Sequence, residues 1–404
     1  MKPSSTNQPE IPRRVHRFGL IDLFCGIGGF SLGASRAGFQ VLAAVDNDPR
    51  AAKAFAVNFP TCTQIQEDIA HLTGRRLRRL AGVGKGTVHG LIGGPPCQGF
   101  SRMGHRAPSD KRNSLFDHFF RLVTEIRPWF FVAENVPGIL DPPFEQMRAN
   151  ALARLKGYRH LPPLILKSSD FGAATSRERV IFVGYRPERV HDMRTVDFDP
   201  PQGVEKVTVE MALSGLPRKI DPTWQTEQEG WRRLTKRLSG GYWDSIFDGV
   251  PPGVGDSDAL TQLRIQGRVS ACLGTNHTRA VLKRFAALRE GAVDGPSRAV
   301  RLKRKGFCPT LRAGTGPDRG SFQALRPIHP TEPRVITPRE AARLQGFPDW
   351  FRFDATKWHS FRQIGNSVSP IFAEGIMRVI AAHLHTGGDR NGNQDTGIGF
   401  CSPS

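Results

Sequence analysis

The chain has 404 residues, of which 38% are hydrophobic and 9% aromatic, and it carries a formal net charge of +20. This composition is typical of a folded globular protein long enough for two domains, and it argues against an intrinsically disordered chain. No apolar stretch approaches the roughly 20 residues of a membrane-spanning helix, so we expect no membrane partner. A positive charge of this size favours phosphate-rich polyanions, above all nucleic acid.

The six cysteines are scattered along the chain without a CxxC pair. This spacing indicates neither a disulfide framework nor a metal site. The N-terminus is polar and lacks the apolar core of a secretory signal. We therefore expect a protein of the reducing cytoplasm that binds no structural metal.

Short apolar runs alternate with helix-like segments from Phe18 to about Arg186, a rhythm typical of βαβ units that build a parallel sheet. Strands are predicted at residues 20–24, 41–45, 88–92, 130–133, 164–166 and 180–185. Helices are predicted at residues 30–37, 51–58, 115–126, 144–155, 338–345 and 370–383. The predicted fold class is α/β.

The same pattern divides the chain into four parts. Residues 17–186 together with 335–385 form the predicted α/β domain, and residues 187–334 form a second, smaller, loop-rich domain without a clear period. A disordered basic tail is predicted at residues 1–16 and a flexible tail at residues 386–404.

A glycine-rich turn from Asp22 to Gly33 follows the first predicted strand and opens a helix. Its glycines let a ligand approach the backbone, and the helix N-terminus offers free N–H groups. Asp46 ends the second strand, where a carboxylate accepts hydrogen bonds from ribose hydroxyls. Asp68 falls where a third strand should end, or it caps a helix or solvated turn. Together these residues predict a cofactor that contains a nucleoside.

A second candidate site is the run Gly93-Gly94-Pro95-Pro96-Cys97-Gln98-Gly99-Phe100-Ser101. Glycine and proline place one cysteine on a stiff turn after an apolar strand. A nucleophilic thiolate has to be exposed and activated, and such a turn projects it into a cleft. The alternative is a rigid loop with an incidental cysteine.

Charged residues beside two later strands complete the set of candidates. Glu134 ends the apolar strand at residues 130–133 and could share a proton with a heterocycle, or it could cap the next helix. Arg177 and Arg179 precede the strand at residues 180–185. They could orient a base carbonyl or support Glu134, or they could form a surface ion-pair ladder.

Six segments, in this order, resemble the motifs of the DNA cytosine-5 methyltransferase family. They are the S-adenosylmethionine turn at residues 22–29, the nucleophile motif at 95–98, the acidic motif at 134–136, the arginine motif at 177–179, the late helix at 334–348 and the closing segment at 363–368. The resemblance spans the chain except for residues 190–305 and the two tails.

The resemblance implies a Rossmann-like S-adenosylmethionine-dependent methyltransferase sheet, with the loop-rich domain at residues 187–334 as the DNA-recognition domain. It implies a DNA (cytosine-5) methyltransferase of the bacterial restriction–modification type, which methylates C5 of a flipped cytosine in a specific duplex sequence. We expect a cytoplasmic monomer that associates with the nucleoid through DNA. The sequence leaves open whether a separate cognate restriction endonuclease exists.

The resemblance also implies residue roles. Cys97 would attack C6, Glu134 would hold the N3 edge, Arg179 would hold the base at O2, and Arg177 would support the pocket. The implied cofactor residues are Phe24, Gly26, Gly28, Gly29, Asp46, Asn47, Asp68, Ile69, Pro95, Asn366 and Ser367. Among these, Phe24 would lie on the adenine, Asp46 would bind the ribose, Asp68 the adenine amino group and Asn366 the methionine end. The Arg301–Lys305 run would bind phosphates.

The departures from the family pattern are few: Asp46 replaces a common Glu, Ala174-Thr175 a usual Pro-Gln, and Ser369 a common proline. They leave open how tightly the cofactor is held. Two alternatives also remain open. One is a tRNA cytosine-5 methyltransferase, although the Cys-Phe-Thr signature of that branch is absent. The other is a non-catalytic DNA-binding regulator with the same fold.

Overall fold

The structure is a computed structural model that describes residues 18–96, 114–221, 229–313 and 326–385. Cys97 and the two predicted tails lie outside the described residues. No helix within those four ranges is both long and apolar enough to cross a membrane.

Ten strands and twelve α-helices form most of the regular structure of the described ranges. The strands are β1 (Phe18–Leu23), β2 (Phe39–Val45), β3 (Thr63–Ile65), β4 (Gly90–Gly93), β5 (Phe130–Asn135), β6 (Arg159–His160), β7 (Leu164–Lys167), β8 (Glu178–Tyr185), β9 (Arg232–Arg233) and β10 (Arg268–Val269). The helices are α1 (Gly29–Arg36), α2 (Pro49–Asn58), α3 (Gly74–Leu80), α4 (Ser114–Ile126), α5 (Glu145–Ala153), α6 (Val209–Leu213), α7 (Tyr242–Phe247), α8 (Ser257–Gln266), α9 (Arg279–Ala287), α10 (Pro338–Gln345), α11 (Lys357–Asn366) and α12 (Pro370–His383).

The central sheet has eight strands in the order β3-β2-β1-β4-β5-β8-β6, with β7 also paired to β8. Strands β1 to β5 are parallel, whereas β8 runs antiparallel to β5, β6 and β7. The predicted α/β fold with a parallel sheet is therefore confirmed for β1 to β5, and the sheet is extended by three strands with antiparallel pairing. β6 and β7 pair with successive parts of β8 and are separated by Pro162 and Pro163, which cannot donate ladder hydrogen bonds.

The predicted strands all correspond to observed ones within a few residues, and α10 and α12 have the predicted bounds. The strand expected to end near Asp68 is the three-residue β3, which ends at Ile65, whereas α3, α11 and the two-residue β6 were not predicted. The predicted irregular region also contains α6 to α9 and a small β9–β10 sheet. These elements have ten residues or fewer, too few turns for a clear apolar period.

Apolar clusters cover both faces of the central sheet. On one face Leu20 packs with Phe30 of α1 and Phe372 of α12. On the other face Leu23 packs with Phe119 and Phe120 of α4. A further cluster joins α1, α2 and α10 to residues of α6, α7 and α8, so the region at 187–334 shares buried apolar surface with the α/β part.

Candidate functional site

The predicted site residues converge on one edge of the sheet. Phe24, Asp46 and Pro95 follow the carboxyl ends of the neighbouring parallel strands β1, β2 and β4. Glu134 is the second-last residue of β5, and Arg179 is the second residue of β8. Because β8 runs antiparallel to β5, both residues lie at the same edge. The crevice outside the carboxyl ends of parallel strands is where α/β folds bind ligands.

The glycine turn after β1 has a backbone that most residues avoid. Phe24 has φ 58°, and Gly26 and Gly28 have φ 54° and 94°. A Cβ on Gly28 would lie 2.3 Å from the Phe59 ring, and one on Gly29 would lie 2.2 Å from the Val368 carbonyl oxygen. A Cβ on Gly26 would meet nothing described within 4 Å. The turn is therefore packed on one side and open at Gly26, as a ligand cradle requires.

The acids that follow β2 and β3 differ in their surroundings. Asp46 accepts hydrogen bonds from the backbone N–H groups of Gly26 and Asp48, each at 2.9 Å, and burial raises its pKa. These bonds fix the carboxylate beside the glycine turn. Asp68 is exposed and accepts a hydrogen bond from the Ala70 N–H at 2.9 Å. This geometry corresponds to the alternative in which Asp68 caps a solvated turn. Ile69 is buried and Asn47 is exposed.

The closing segment returns to the glycine turn. Asn366 is exposed at the last residue of α11, and the buried hydroxyl of Ser367 would be 2.3 Å from a Cβ on Gly29. Ser367 Oγ has no hydrogen-bond partner among the described residues. The same holds for Asp22 Oδ1, whereas Asp22 Oδ2 accepts from Ser31 Oγ at 2.6 Å. Burial raises the pKa of Asp22 to about 7.

These features fit a nucleoside-bearing amino-acid cofactor. An open glycine cradle, a fixed carboxylate and two buried polar atoms without described partners lie around one turn. Buried polar atoms are normally paired with protein, water or a ligand, and these two lie around the turn that is open at Gly26. S-adenosylmethionine has ribose hydroxyls, an ammonium and a carboxylate that could provide such partners.

Glu134 and Arg179 form a buried ion pair, with Arg179 Nε 2.5 Å from Glu134 Oε1 and side-chain exposures of 9% and 10%. The other Glu134 oxygen would lie 3.3 Å from a Cβ on Gly94. Asn135 Nδ2 donates to the Pro95 carbonyl at 3.2 Å. The acid-bearing strand is therefore tied to the Pro-Pro turn that immediately precedes Cys97, which itself lies outside the described residues.

Arg177 is buried, and its guanidinium links two segments that are distant in sequence. Its Nη1 donates to the Gly365 carbonyl at 2.8 Å and to the Leu311 carbonyl at 3.4 Å. The loop before it is bound to Cys308, whose N–H donates to Ala174 and whose carbonyl accepts from Ser176. The predicted recognition region and the closing segment therefore meet beside the Glu134–Arg179 pair.

The described cysteines are poor candidates for the nucleophile. Burial raises the pKa of the Cys25 thiol well above its usual range and that of Cys272 to about 12. The pKa of Cys308 is raised by burial too. At neutral pH these thiols stay protonated, and a protonated thiol is a weak nucleophile.

The prediction of a phosphate-binding run at residues 301–305 is wrong for its first arginine. Arg301 is buried and donates to the carbonyls of Pro330 at 3.0 Å and Phe285 at 2.6 Å. Arg304 pairs with Glu290 at 2.6 Å, while Lys303 and Lys305 are exposed. The charge pattern could not show which of these cations are satisfied by backbone oxygens.

Sequence reasoning gave no role to Asn135, Ser31 or Gly365, which the structure places next to site residues. Asn135 and Gly365 directly adjoin the predicted residues Glu134 and Asn366. Their position next to predicted site residues was the sequence signal that could have identified them. For Ser31 the signal was its position in the first turn of the helix that follows the glycine turn.

Comparison with known proteins agrees with this geometry. The family model for C-5 cytosine-specific DNA methylase matches residues 18–382. Type II methyltransferase M.XorII of Xanthomonas oryzae pv. oryzae is 41% identical over 362 residues, which are 88% of this chain and 82% of the relative. Type II methyltransferase M.DdeI of Desulfomicrobium norvegicum is 31% identical over 409 residues, which are 90% of this chain and 88% of the relative.

Solved structures give the same result. A crystal structure described as a DNA modification methyltransferase encoded within an E. coli prophage superposes with a TM-score of 0.82 at 45% identity, covering 91% of this chain and 99% of that one. The S. pombe Dnmt2 methyltransferase, at 17% identity and a TM-score of 0.57, shares the fold over 90% of this chain and 97% of its own. The sheet order, the converging motifs and these matches agree, and the chain belongs to the C-5 cytosine-specific DNA methylase family.

Proposed function

We propose that this chain transfers a methyl group from S-adenosylmethionine to C5 of a flipped cytosine in duplex DNA, as the modification enzyme of a restriction–modification system. The observation that carries the proposal is the buried Glu134–Arg179 pair, which lies at the same sheet edge as the glycine turn. Asn135 ties this pair to the Pro-Pro turn that leads to Cys97.

S-adenosylmethionine would supply a methyl group bound to a sulfonium, which a carbon nucleophile can attack so that the electron pair of the C–S bond leaves with a neutral thioether. Asp46 would hold the ribose, Phe24 would lie against the adenine and Asp68 would accept from the adenine amino group. Asn366 and Ser367 would bind the methionine end, and the open space at Gly26 leaves room for the ligand next to the backbone. Gly28, Gly29, Asn47, Ile69 and Pro95 would complete the binding site.

The cytosine needs activation because its C5 is a poor nucleophile. A bond from the Cys97 thiolate to C6 would push an electron pair towards C5. Glu134 would stabilise the resulting enamine by a hydrogen bond at the N3 edge. C5 then takes the methyl group, and the bond between that group and the sulfonium breaks. A base removes the C5 proton, and the C6–sulfur bond breaks to restore the aromatic ring.

The arginines have separate roles in this scheme. Arg179 would hold the base at O2, and its ion pair keeps Glu134 beside the N3 edge. Arg177 would act through the backbone, because its guanidinium binds the Leu311 and Gly365 carbonyls. The cytosine has to leave the base stack to reach these groups, at a cost of a few kcal/mol.

The remaining parts of the proposal concern partners and location. The net charge of +20 supports duplex DNA as the substrate, read by residues 187–334, with residues 17–186 and 335–385 as the catalytic part. We further propose a monomer in the bacterial cytoplasm, associated with the nucleoid through its DNA. A cognate restriction endonuclease would act separately on the same sites.

Replacing the nucleophile tests the covalent step. Cys97→Ala should abolish methyl transfer to duplex DNA, because no thiolate remains to attack C6, while calorimetry should still detect S-adenosylmethionine binding. Cys62→Ala is the matched control, since Cys62 lies outside the proposed chemistry and should keep activity. Duplex DNA with 5-fluorocytosine should form an adduct stable in detergent with the parent chain and with Cys62→Ala, but not with Cys97→Ala. Full transfer by Cys97→Ala, or transfer to tRNA and not to duplex DNA, would refute the proposal.

A further inference from the structure

One face of α11 contacts three segments of the predicted recognition region. Lys357, Phe361 and Gly365 are spaced four residues apart and therefore lie on the same side of the helix. The last of these residues is tied to the arginine motif, because the Gly365 carbonyl accepts from Arg177, two residues before Arg179. The C-terminal end of the helix is thus attached to the arginine motif, and all three positions contact the recognition region.

Each of the three positions has its own contact. A Cβ on Gly365 would lie 2.8 Å from the backbone of Arg312 and Ala313. The backbone of these two residues therefore packs directly against the helix. The Arg326 guanidinium lies 4.6 Å from the Phe361 ring centroid. Lys357 Nζ donates to the Gly274 carbonyl and to Thr275 Oγ1, the latter at 3.4 Å.

The turn that contains Asn276 is held on both sides. Lys357 fixes Gly274 and Thr275 before it. After it, His277 Nε2 accepts from the Val335 N–H at 3.4 Å, and Thr278 caps α9. Asn276 itself is exposed and makes no hydrogen bond with any residue in the described ranges. A fixed backbone that presents an exposed, unpaired amide is suited to reading a base edge.

Arg312 has a comparable position at the other end of the helix. Its backbone is held between the Leu311 carbonyl, which accepts from Arg177, and the contact with Gly365. Its side chain is exposed, and no ion pair or hydrogen bond joins it to the described parts of the chain. A guanidinium in this place can bind a phosphate next to the extruded nucleotide.

The length of α11 sets the spacing between the two groups. Eight residues of helix span about 12 Å at 1.5 Å per residue. Stacked base pairs of B-DNA are about 3.4 Å apart, so this length corresponds to about three or four base pairs. We call the surface from Arg312 through Arg326 and Lys357 to Asn276 the α11 strip.

We propose that the α11 strip follows the duplex away from the flipped cytosine, with Arg312 on a phosphate beside that cytosine and Asn276 on an adenine about three or four base pairs away. This inference rests on the proposed function. It goes beyond that function by naming the residue that reads a base and the residue that sets the register.

The first test is the methylation pattern of Asn276→Ala on a library of randomised duplexes, read by sequencing of the methylated products. Discrimination for A·T should fall about 5- to 150-fold at one position, about three or four base pairs from the methylated cytosine, with other positions unchanged. Asn150→Ala on α5 is the matched control, because Asn150 pairs with Gln146 on the outside of the sheet. An unchanged pattern, or relaxation at a different distance, would overturn the role of Asn276.

The second test is the salt dependence of duplex binding by Arg312→Ala, measured by fluorescence anisotropy. Loss of one phosphate contact should lower the slope of log Kd against log salt by about 0.9. Arg79→Ala on α3 is the control, since Arg79 is exposed on another helix. An equal change in both variants would mean that Arg312 acts only through net charge.

Different results would refute the proposed function and the role of the α11 strip. If the parent chain transfers no methyl group to cytosine in DNA, the proposed function is wrong. If the parent chain is active and both variants behave like their controls, only the α11 strip is wrong.

Discussion

The carboxyl edge of the sheet and the contact between α10 and the recognition region both bury polar side chains, but they satisfy the hydrogen bonds of those side chains to different degrees. At the edge, Asp22 and Ser367 each keep a buried polar atom without a described partner. Behind α10, Arg339 donates to the carbonyls of Ser270, Pro348 and Phe351 at 2.8 to 2.9 Å. The two atoms at the edge have no partner among the described residues, whereas the Arg339 guanidinium is satisfied within the protein.

Arg343 shows the same pattern as Arg339. It is fully buried, pairs with Asp349 at 2.6 Å and donates to the carbonyls of Ala212 and Ser214. These bonds attach α6 and the chain after it to α10. The comparison teaches that burial of a charge does not by itself mark a functional site, because what matters is whether its hydrogen bonds are already satisfied.

Breaking the α10 contact should have the largest effect. Arg343→Ala should lower the free energy of unfolding by about 3–5 kcal/mol, because it leaves Asp349 buried without its partner. Chemical denaturation measures this loss. Arg378→Ala on α12 is the control: its pair with Glu374 is 58% exposed on the arginine side, so its loss should cost about 0.5 kcal/mol or less. Equal losses in the two variants would contradict the structural role of Arg343.

The second prediction concerns the carboxyl edge of the sheet and pH. The folded-state pKa of Asp22 is raised from 3.8 to about 7 by burial, so between these values the folded chain holds a proton that the unfolded chain has lost. Stability from this group is therefore present at low pH and declines as the pH rises towards 7. Its contribution should fall by about 3 kcal/mol from about pH 4.5 to about pH 7 in the cofactor-free protein.

Asp22→Asn should remove that slope, and subtracting its denaturation curves from those of the parent chain isolates the group. The neighbours Ser31, Asp46, Cys25 and Cys62 remain in both proteins. Asp170→Asn, an exposed aspartate, serves as the control and should leave the slope unchanged. A parent chain and an Asp22→Asn variant with parallel pH profiles would argue against a protonated Asp22 in the folded state.

The smallest of the three effects on stability should come from the contact between α11 and residues 312 and 313. Gly365→Ala puts a methyl group 2.8 Å from the backbone of residues 312 and 313, which has to move. We expect a loss of about 2 kcal/mol in unfolding free energy from overpacking. Affinity for duplex DNA should fall as well, because Arg312 moves. Affinity for S-adenosylmethionine should stay unchanged, which would show that the cofactor turn is intact. An unchanged affinity for DNA would contradict the close contact between Gly365 and residues 312 and 313.

Most of the sheet edge could be predicted from local sequence. The strands that precede Phe24, Asp46 and Glu134 are apolar runs bounded by glycine or charge, and parallel strands bring their carboxyl ends to one edge. The short helices between residues 187 and 334 could not be predicted, since elements of ten residues or fewer show little periodicity. The break between β6 and β7 was signalled by two prolines, but the pairing of both with β8 was not.

The sequence by itself determined the order of the motifs, the strands that carry them and the excess of positive charge. Only the tertiary structure decided which cations are available to a ligand. Arg177 and Arg301 bind carbonyls, with Gly365 lying 188 positions from Arg177 and Pro330 lying 29 positions from Arg301. A buried guanidinium needs acceptors in the right geometry, and the folded chain supplies them from segments that no local pattern connects.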